Sequence, residues 1–133
     1  MMHNTNIATV EGRITIDTSL YSTRLRDCVL DELNARKAEG IVTLDLRSQS
    51  DFTDFMVVAS GTSSRHVASL ADNVLDRLKR DGFGEFAVEG KTQGEWVLVD
   101  ALDVVIHLFK PETRSFYDLE RMWQVPGTTE VVG

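Results

Sequence analysis

Apolar residues along this chain repeat in two ways, at three-and-four spacing and in alternation, and the switches between the two mark out its elements. Leu25, Cys28, Val29 and Leu33 share one helical face, with Ser19 suited to cap the start and Gly40 just past the end. Residues 41–47 then alternate as a strand, with Val42, Leu44 and Leu46 facing one way. The loop SQSDFTD leads to a buried strand over 55–59. Val67, Leu70, Ala71, Val74, Leu75 and Leu78 define the clearest helix, and Gly82 follows its end. A strand over 86–89 and a hairpin over 96–109 come next. Pro111 then opens a last helix that turns Phe116, Leu119 and Trp123 inward. Residues 1–18 alternate only weakly (Val10, Ile14, Ile16) and read as a flexible extension with a short edge strand at most. The expected order is α-β-β-α-β-β-β-α, a single α/β (α+β) domain with a mixed β-sheet and helices. The extension takes 1–18, the domain 19–124, and a C-terminal tail 125–133.

The hairpin, WVLVDALDVVIHLF, has only three polar side chains in fourteen positions. A hairpin with one wet face should alternate, so this one must have both faces covered. With Asp100 to Asp103 as a four-residue turn, Val99 pairs with Val104, Leu98 with Val105, Val97 with Ile106 and Trp96 with His107. Val97, Val99, Val104, Ile106 and Leu108 then face the helices as core. The other face carries Trp96, Leu98, Val105, His107 and Phe109, with Asp100 and Asp103 at its rim. An aromatic anchor, aliphatic neighbours and a charged edge make up a docking face. The competing reading is that the extension or the last helix covers it. Two acids held together repel each other, and an incoming Lys or Arg would relieve them. His107 beside Trp96 reads as a packed, hydrogen-bonded histidine, since no second metal-binding side chain stands at a suitable spacing. His66 reads as solvent-facing near a helix start.

Charge narrows the partners. Fourteen basic against 21 acidic residues give a net charge of −7, whereas binding to nucleic acid through phosphates needs a basic face. Arg24, Arg26, Arg36, Lys37, Arg77, Lys79 and Arg80 cluster on the helices, where solvated faces account for them. A basic protein is the better partner, and direct nucleic-acid contact is not expected to dominate. Cys28 is the single cysteine and reads as a core thiol in a reducing compartment. No run is long enough for a membrane span, and the first residues have no leader pattern, so the cytoplasm is the default location.

Catalytic chemistry finds little support in the motifs. SGTSSRH (residues 60–66) passes from strand through glycine to a helix, a turn that could offer backbone N–H groups to an anion, although N-capping by Ser63 or Ser64 explains it more simply. The turn invites comparison with nucleotidyltransferases, which also need two or three carboxylates on divalent metal ions, spaced Asp-x-Asp on a strand. Asp51 and Asp54, and Asp100 and Asp103, are each three apart in loops, and Asp72 sits on a helix beside Asn73. No catalytic, metal or cofactor residue is assigned. A divergent metal-dependent nucleotidyltransferase is the enzyme-class alternative.

TDFMVVASGTSSRHV (53–67), VEG (88–90), WVLVD (96–100), DVVIHLF (103–109) and RSFYDLERMW (114–123) together resemble the ribosomal silencing factor family, also called RsfS or Iojap, in order and spacing over about residues 20–124. The resemblance implies a nucleotidyltransferase-like fold without the catalytic carboxylates. It also implies binding to the large ribosomal subunit through its basic protein numbered fourteen, blocking subunit joining and repressing translation when nutrients are scarce. The positions matching the family's contact surface are Trp96, Asp100 and Asp103, with Ser63, Ser64 and Arg65 nearby and Leu98, Val105 and His107 on the same hairpin face. Members also pair as homodimers. Leu102 departs from the family's usual glycine before the second Asp.

Overall fold

The computed structural model describes residues 7–10, 13–16, 18–113 and 129–132. Its elements are β1 (Ile7–Val10), β2 (Arg13–Ile16), α1 (Thr18–Ala35), β3 (Glu39–Asp45), β4 (Phe55–Ser60), α2 (Ser64–Arg80), β5 (Ala87–Glu89), β6 (Trp96–Asp100), β7 (Val104–Phe109) and β8 (Thr129–Val132). Six strands form one sheet in the order β5-β6-β7-β4-β3-β8, and β1 and β2 form a separate antiparallel pair. Only β4 and β7 run parallel within the six, so the sheet is mixed, as its alternating patterns imply. Three strands enlarge the expected order: β1 and β2, where one short edge strand at most is expected in the extension, and β8, which pairs with β3 from the segment expected as a tail. Residues 111–113 are helical, and the inward positions Phe116, Leu119 and Trp123 lie outside the described residues.

Both described helices pack on one sheet face. Leu25, Val29 and Leu33 of α1 and Val67, Leu70 and Val74 of α2 meet Phe55, Val57, Val97, Val99, Val104, Ile106 and Leu108 in one core cluster. The opposite face has its own cluster, Val42, Leu44, Leu46, Met56, Val58 and Phe109, with Trp96 packed against it.

The ends of the helices follow from caps. Helix α2 begins at Ser63, whose Oγ accepts the His66 N–H at 3.0 Å. It ends with Phe83 N–H on the Leu78 carbonyl and Gly82 N–H on the Lys79 carbonyl, a Schellman pattern with glycine in the left-handed position. Helix α1 stops earlier than Gly40 suggests. Ala38 N–H reaches the Leu33 carbonyl and Lys37 N–H the Asn34 carbonyl, so Lys37 takes the left-handed position at φ 65°. Gly40 instead lies where the β3–β4 register shifts. Arg77 joins the helices, donating to Asp31 (3.0 Å), Glu32 (3.1 Å) and Asp81 (2.7 Å). Glu32 is buried and also accepts from Arg36 at 2.8 Å. Burial raises its carboxyl, and the two guanidiniums overcome that and hold it below the usual range.

Candidate protein-docking face

The β6–β7 ladder pairs Asp100 with Val105, Val99 with Ile106, Leu98 with His107, Val97 with Leu108 and Trp96 with Phe109. This corrects the expected pairing by two residues. Asp100 stays in the strand because its Oδ1 accepts the Leu102 N–H at 3.0 Å, closing the turn one residue later, where Ala101 N–H reaches the Val104 carbonyl at 3.0 Å. Since side chains alternate with a period of two, a two-residue slip leaves every residue on its expected face. Val97, Val99, Val104, Ile106 and Leu108 are accordingly buried under the helices.

The other face divides. Phe109 is fully buried and belongs to the second core cluster, so it is removed from any docking surface. Trp96, Leu98, Val105 and His107 are only partly buried. They form a strip along β6 and β7, just inside the edge strand β5, with Trp96 and Asp100 roughly 13 Å apart at four strand residues. Strand β5 widens it: Glu89 pairs with Leu98 and Ala87 with Asp100, which sets Glu89 beside Leu98 on the same face. Glu89 and Asp100 are exposed, and neither makes an ion pair among the described residues. Glu89 was missed in the sequence because a three-residue strand shows no alternation to orient it.

Trp96 is held rather than loose. Its Nε1–H donates to His107 Nδ1 at 3.0 Å, and its ring packs on Phe109 with centroids 5.1 Å apart. His107 is stacked with Phe109 at an interplanar angle of 9°, centroids 6.3 Å apart, so the three rings form one mutual cluster. Accepting at Nδ1 requires an unprotonated nitrogen there, so the neutral imidazole carries its proton on Nε2. Burial pushes His107 down to about 4, leaving the strip uncharged at neutral pH. The packed, hydrogen-bonded reading of His107 holds.

Backbone freedom in the β5–β6 turn fixes where Trp96 lies. Gly90, at φ 85°, has no room for a Cβ, which would run into the Trp96 carbonyl oxygen. Gly94, at φ 69°, would place one 2.7 Å from the Ser64 carbonyl oxygen.

The remaining expected site residues separate. Ser60 pairs with Phe109, so the turn carrying Ser63, Ser64 and Arg65 lies at the Trp96 end of the sheet, leading to a helix on the opposite face. Ser63 is engaged as the cap of α2. His66 is not simply solvent-facing: its Nδ1 accepts the Thr62 N–H at 2.9 Å and its Nε2 meets the Arg36 carbonyl at 3.0 Å, tying the start of α2 to the end of α1. Asp103 lies at the other end of the strip, and its carbonyl accepts the N–H groups of Asp54 (2.8 Å) and Phe55 (3.1 Å). Burial, and then the charge of Asp54, raise the Asp103 carboxyl. The acid that repels Asp103 is therefore Asp54, brought beside it by the parallel β4–β7 pairing, and not Asp100. Leu102 between them sits in the left-handed region at φ 66°, where glycine is favoured. Among the described residues, no three His, Cys, Asp or Glu side chains gather as a metal site, and no helix is long and apolar enough to cross a membrane.

Comparison with known proteins agrees with this architecture. A family model described as "Ribosomal silencing factor during starvation" matches residues 21–131. The "Ribosomal silencing factor RsfS" of Zymomonas mobilis is 45% identical over 106 residues, 80% of each chain. The mouse "Mitochondrial assembly of ribosomal large subunit protein 1" is 33% identical across 73% of this chain and 44% of its own length. A crystal structure of a Chromobacterium violaceum protein superposes with a TM-score of 0.74 at 37% identity, covering 80% of this chain and 90% of that one. One from Bacillus halodurans gives 0.71 at 30% identity, covering 83% and 99%.

Proposed function

This chain belongs to the ribosomal silencing factor (RsfS) family, and on that premise we propose that it binds the large ribosomal subunit through protein contact and sterically blocks subunit joining, repressing translation under nutrient limitation. The observation that carries the reading is the β5–β6–β7 strip. A partly buried Trp96–Leu98–Val105–His107 surface, neutral at physiological pH, is edged by Glu89 and Asp100, whose charges no ion pair answers among the described residues. Such a surface suits a basic, partly apolar protein, because an incoming Lys or Arg gains a partner without stripping one away. The large-subunit protein numbered fourteen, basic and implied by the family resemblance, is the partner proposed. The net charge of −7 argues against a contact dominated by RNA phosphates. The action is steric and non-enzymatic, in the cytoplasm, with no cofactor. A homodimer burying the same strip would compete with the ribosome.

Pelleting of purified large subunits through a sucrose cushion tests the contact. The wild-type chain should co-pellet, whereas a Glu89→Lys, Asp100→Asn variant should bind at least about tenfold more weakly. Asparagine at 100 keeps an acceptor for the Leu102 N–H, so the turn survives while the charge goes. Equal pelleting of the variant would remove the strip from the interface. Metal-dependent nucleotide incorporation by the pure protein would favour the enzyme-class alternative instead.

A further inference from the structure

Tyr21, Phe52 and Leu102 are the large apolar side chains exposed among the described residues, and all three sit at one end of the sheet. Asp103 marks the place: its carbonyl holds Asp54 N–H and Phe55 N–H, burial and then the Asp103 charge raise the Tyr21 hydroxyl, and Leu102 precedes it in the chain. Phe52 is 91% exposed and Leu102 67%. An aromatic ring so exposed normally rides on a loose loop, but this loop is tied. Leu46 N–H reaches the Asp54 carbonyl at 2.8 Å, Ser50 N–H the Leu46 carbonyl at 2.9 Å, and Ser50 Oγ accepts the Phe52 N–H at 3.1 Å. The ring is presented to water from a fixed backbone, and the ordering cost that a partner would otherwise have to meet is already small. Leu102 is likewise held out, in a left-handed turn closed by Asp100.

Acids without ion pairs surround these side chains, and the nearby guanidiniums are engaged elsewhere. Asp51, Asp54 and Asp103 lie beside Phe52 and Leu102, and none of the three forms an ion pair among the described residues. Arg26 and Arg47 are the nearby cations, both over the Phe55 ring at 4.7 Å and 5.0 Å. Arg26 is bound to Asp27 at 2.9 Å, and Arg47 to Asp45 by two bonds of 2.9 Å and 2.6 Å, with the charge of Asp54 also felt at Arg47. Asp103 and Asp54 already repel each other, a strain that an approaching cation relieves.

We propose that this end of the sheet, with Phe52 as apolar anchor and Asp51, Asp54 and Asp103 around it, is a second docking point for the same basic protein surface that meets the β6–β7 strip. The inference rests on the function proposed above and adds to it a loop that lies outside the strip. The two contacts are continuous through the turn at 101–103, so one partner can cover both.

The test measures binding of the full chain to large subunits at several salt concentrations. Phe52→Ser should weaken binding about tenfold without changing its salt dependence, and Phe52→Leu should restore most of it. Asp51→Lys should weaken binding and flatten the salt dependence. Because Phe52 and Asp51 are exposed, the melting temperatures of these variants should stay at the wild-type value. Undiminished binding of Phe52→Ser and Asp51→Lys, while Glu89→Lys, Asp100→Asn still fails, overturns the second docking point and leaves the strip standing. Failure of the wild-type chain to bind overturns both. If Phe52→Ser instead shifts only the monomer–dimer distribution in sedimentation, the occupant is a second copy and the proposal is wrong. Retention of the wild-type chain on protein-free ribosomal RNA, lost with Phe52→Ser, would likewise replace the protein partner.

Discussion

His107 offers one imidazole whose effect on stability can be isolated. Burial depresses it from its ordinary value near 6.5 to about 4, and Trp96 Nε1–H donates to its Nδ1. Between those two values the unfolded chain binds a proton that the folded chain refuses, so stability falls as pH falls. The contribution is fully present above about 6.5, and the whole difference corresponds to about 3 kcal/mol. Integrated over the two titrations, about 2 kcal/mol of that should be gone between pH 7 and pH 4.5. His107→Asn keeps an acceptor near the Nδ1 position but cannot take up the proton. It will be less stable at neutral pH, having lost the stacking on Phe109, so the informative quantity is the difference between the two pH profiles. Urea unfolding followed by circular dichroism, at half-unit steps from pH 7 to 4.5, supplies both curves. The carboxyls of Glu32, Asp45 and Asp81, held low in the folded state, lose their contributions at still lower pH and do so in both proteins. The wild-type curve should converge on that of the variant by about 2 kcal/mol. Parallel curves across the whole range would refute the burial of a neutral His107.

Other substitutions probe the frame that presents the face. Arg77→Met leaves the buried Glu32 with Arg36 alone and should cost about 2–3 kcal/mol in urea unfolding, with a second change, Glu32→Gln, recovering part of the loss. Thr43 is 2% exposed and its Oγ1 has no hydrogen-bond partner among the described residues, so Thr43→Val, close to isosteric, should raise stability by about 1 kcal/mol. Lys37→Gly relieves a left-handed lysine at the end of α1 and should raise stability by about 0.5–1 kcal/mol after the entropy of glycine is subtracted, read as a higher melting temperature.

Where burial decides the outcome, the sequence was readable. The apolar repeat of α2 and the faces of β6 and β7 follow directly from which side chains must leave water, and the faces survived a two-residue error in register because the strand period is two. Details set by local polar bonds were not readable. The turn after Asp100 depends on one carboxylate oxygen reaching the Leu102 N–H, and α1 ends on a left-handed lysine although a glycine stands three residues later. Contacts across parallel strands were hidden as well. Asp54 meets Asp103 only because β4 and β7 run side by side, a pairing with no signature in either segment. Two other contacts were hidden for separate reasons: the tie from His66 to the Arg36 carbonyl joins helix ends distant in sequence, and Glu89 beside Leu98 lies on a strand too short to show alternation. The expected docking set was thus legible as a hairpin face. Its division into a strip, a helix start and a sheet end came from topology.

Subunit joining reports on the proposed steric block itself. Large subunits are incubated with saturating protein, small subunits are added, and the joined ribosomes are resolved on a sucrose gradient. The wild-type chain should abolish the joined peak while remaining with the large subunit, and the Glu89→Lys, Asp100→Asn variant should let the peak return. Full joining in the presence of saturating wild-type protein would rule out the steric block, and equal blocking by the variant would rule out the strip as its site.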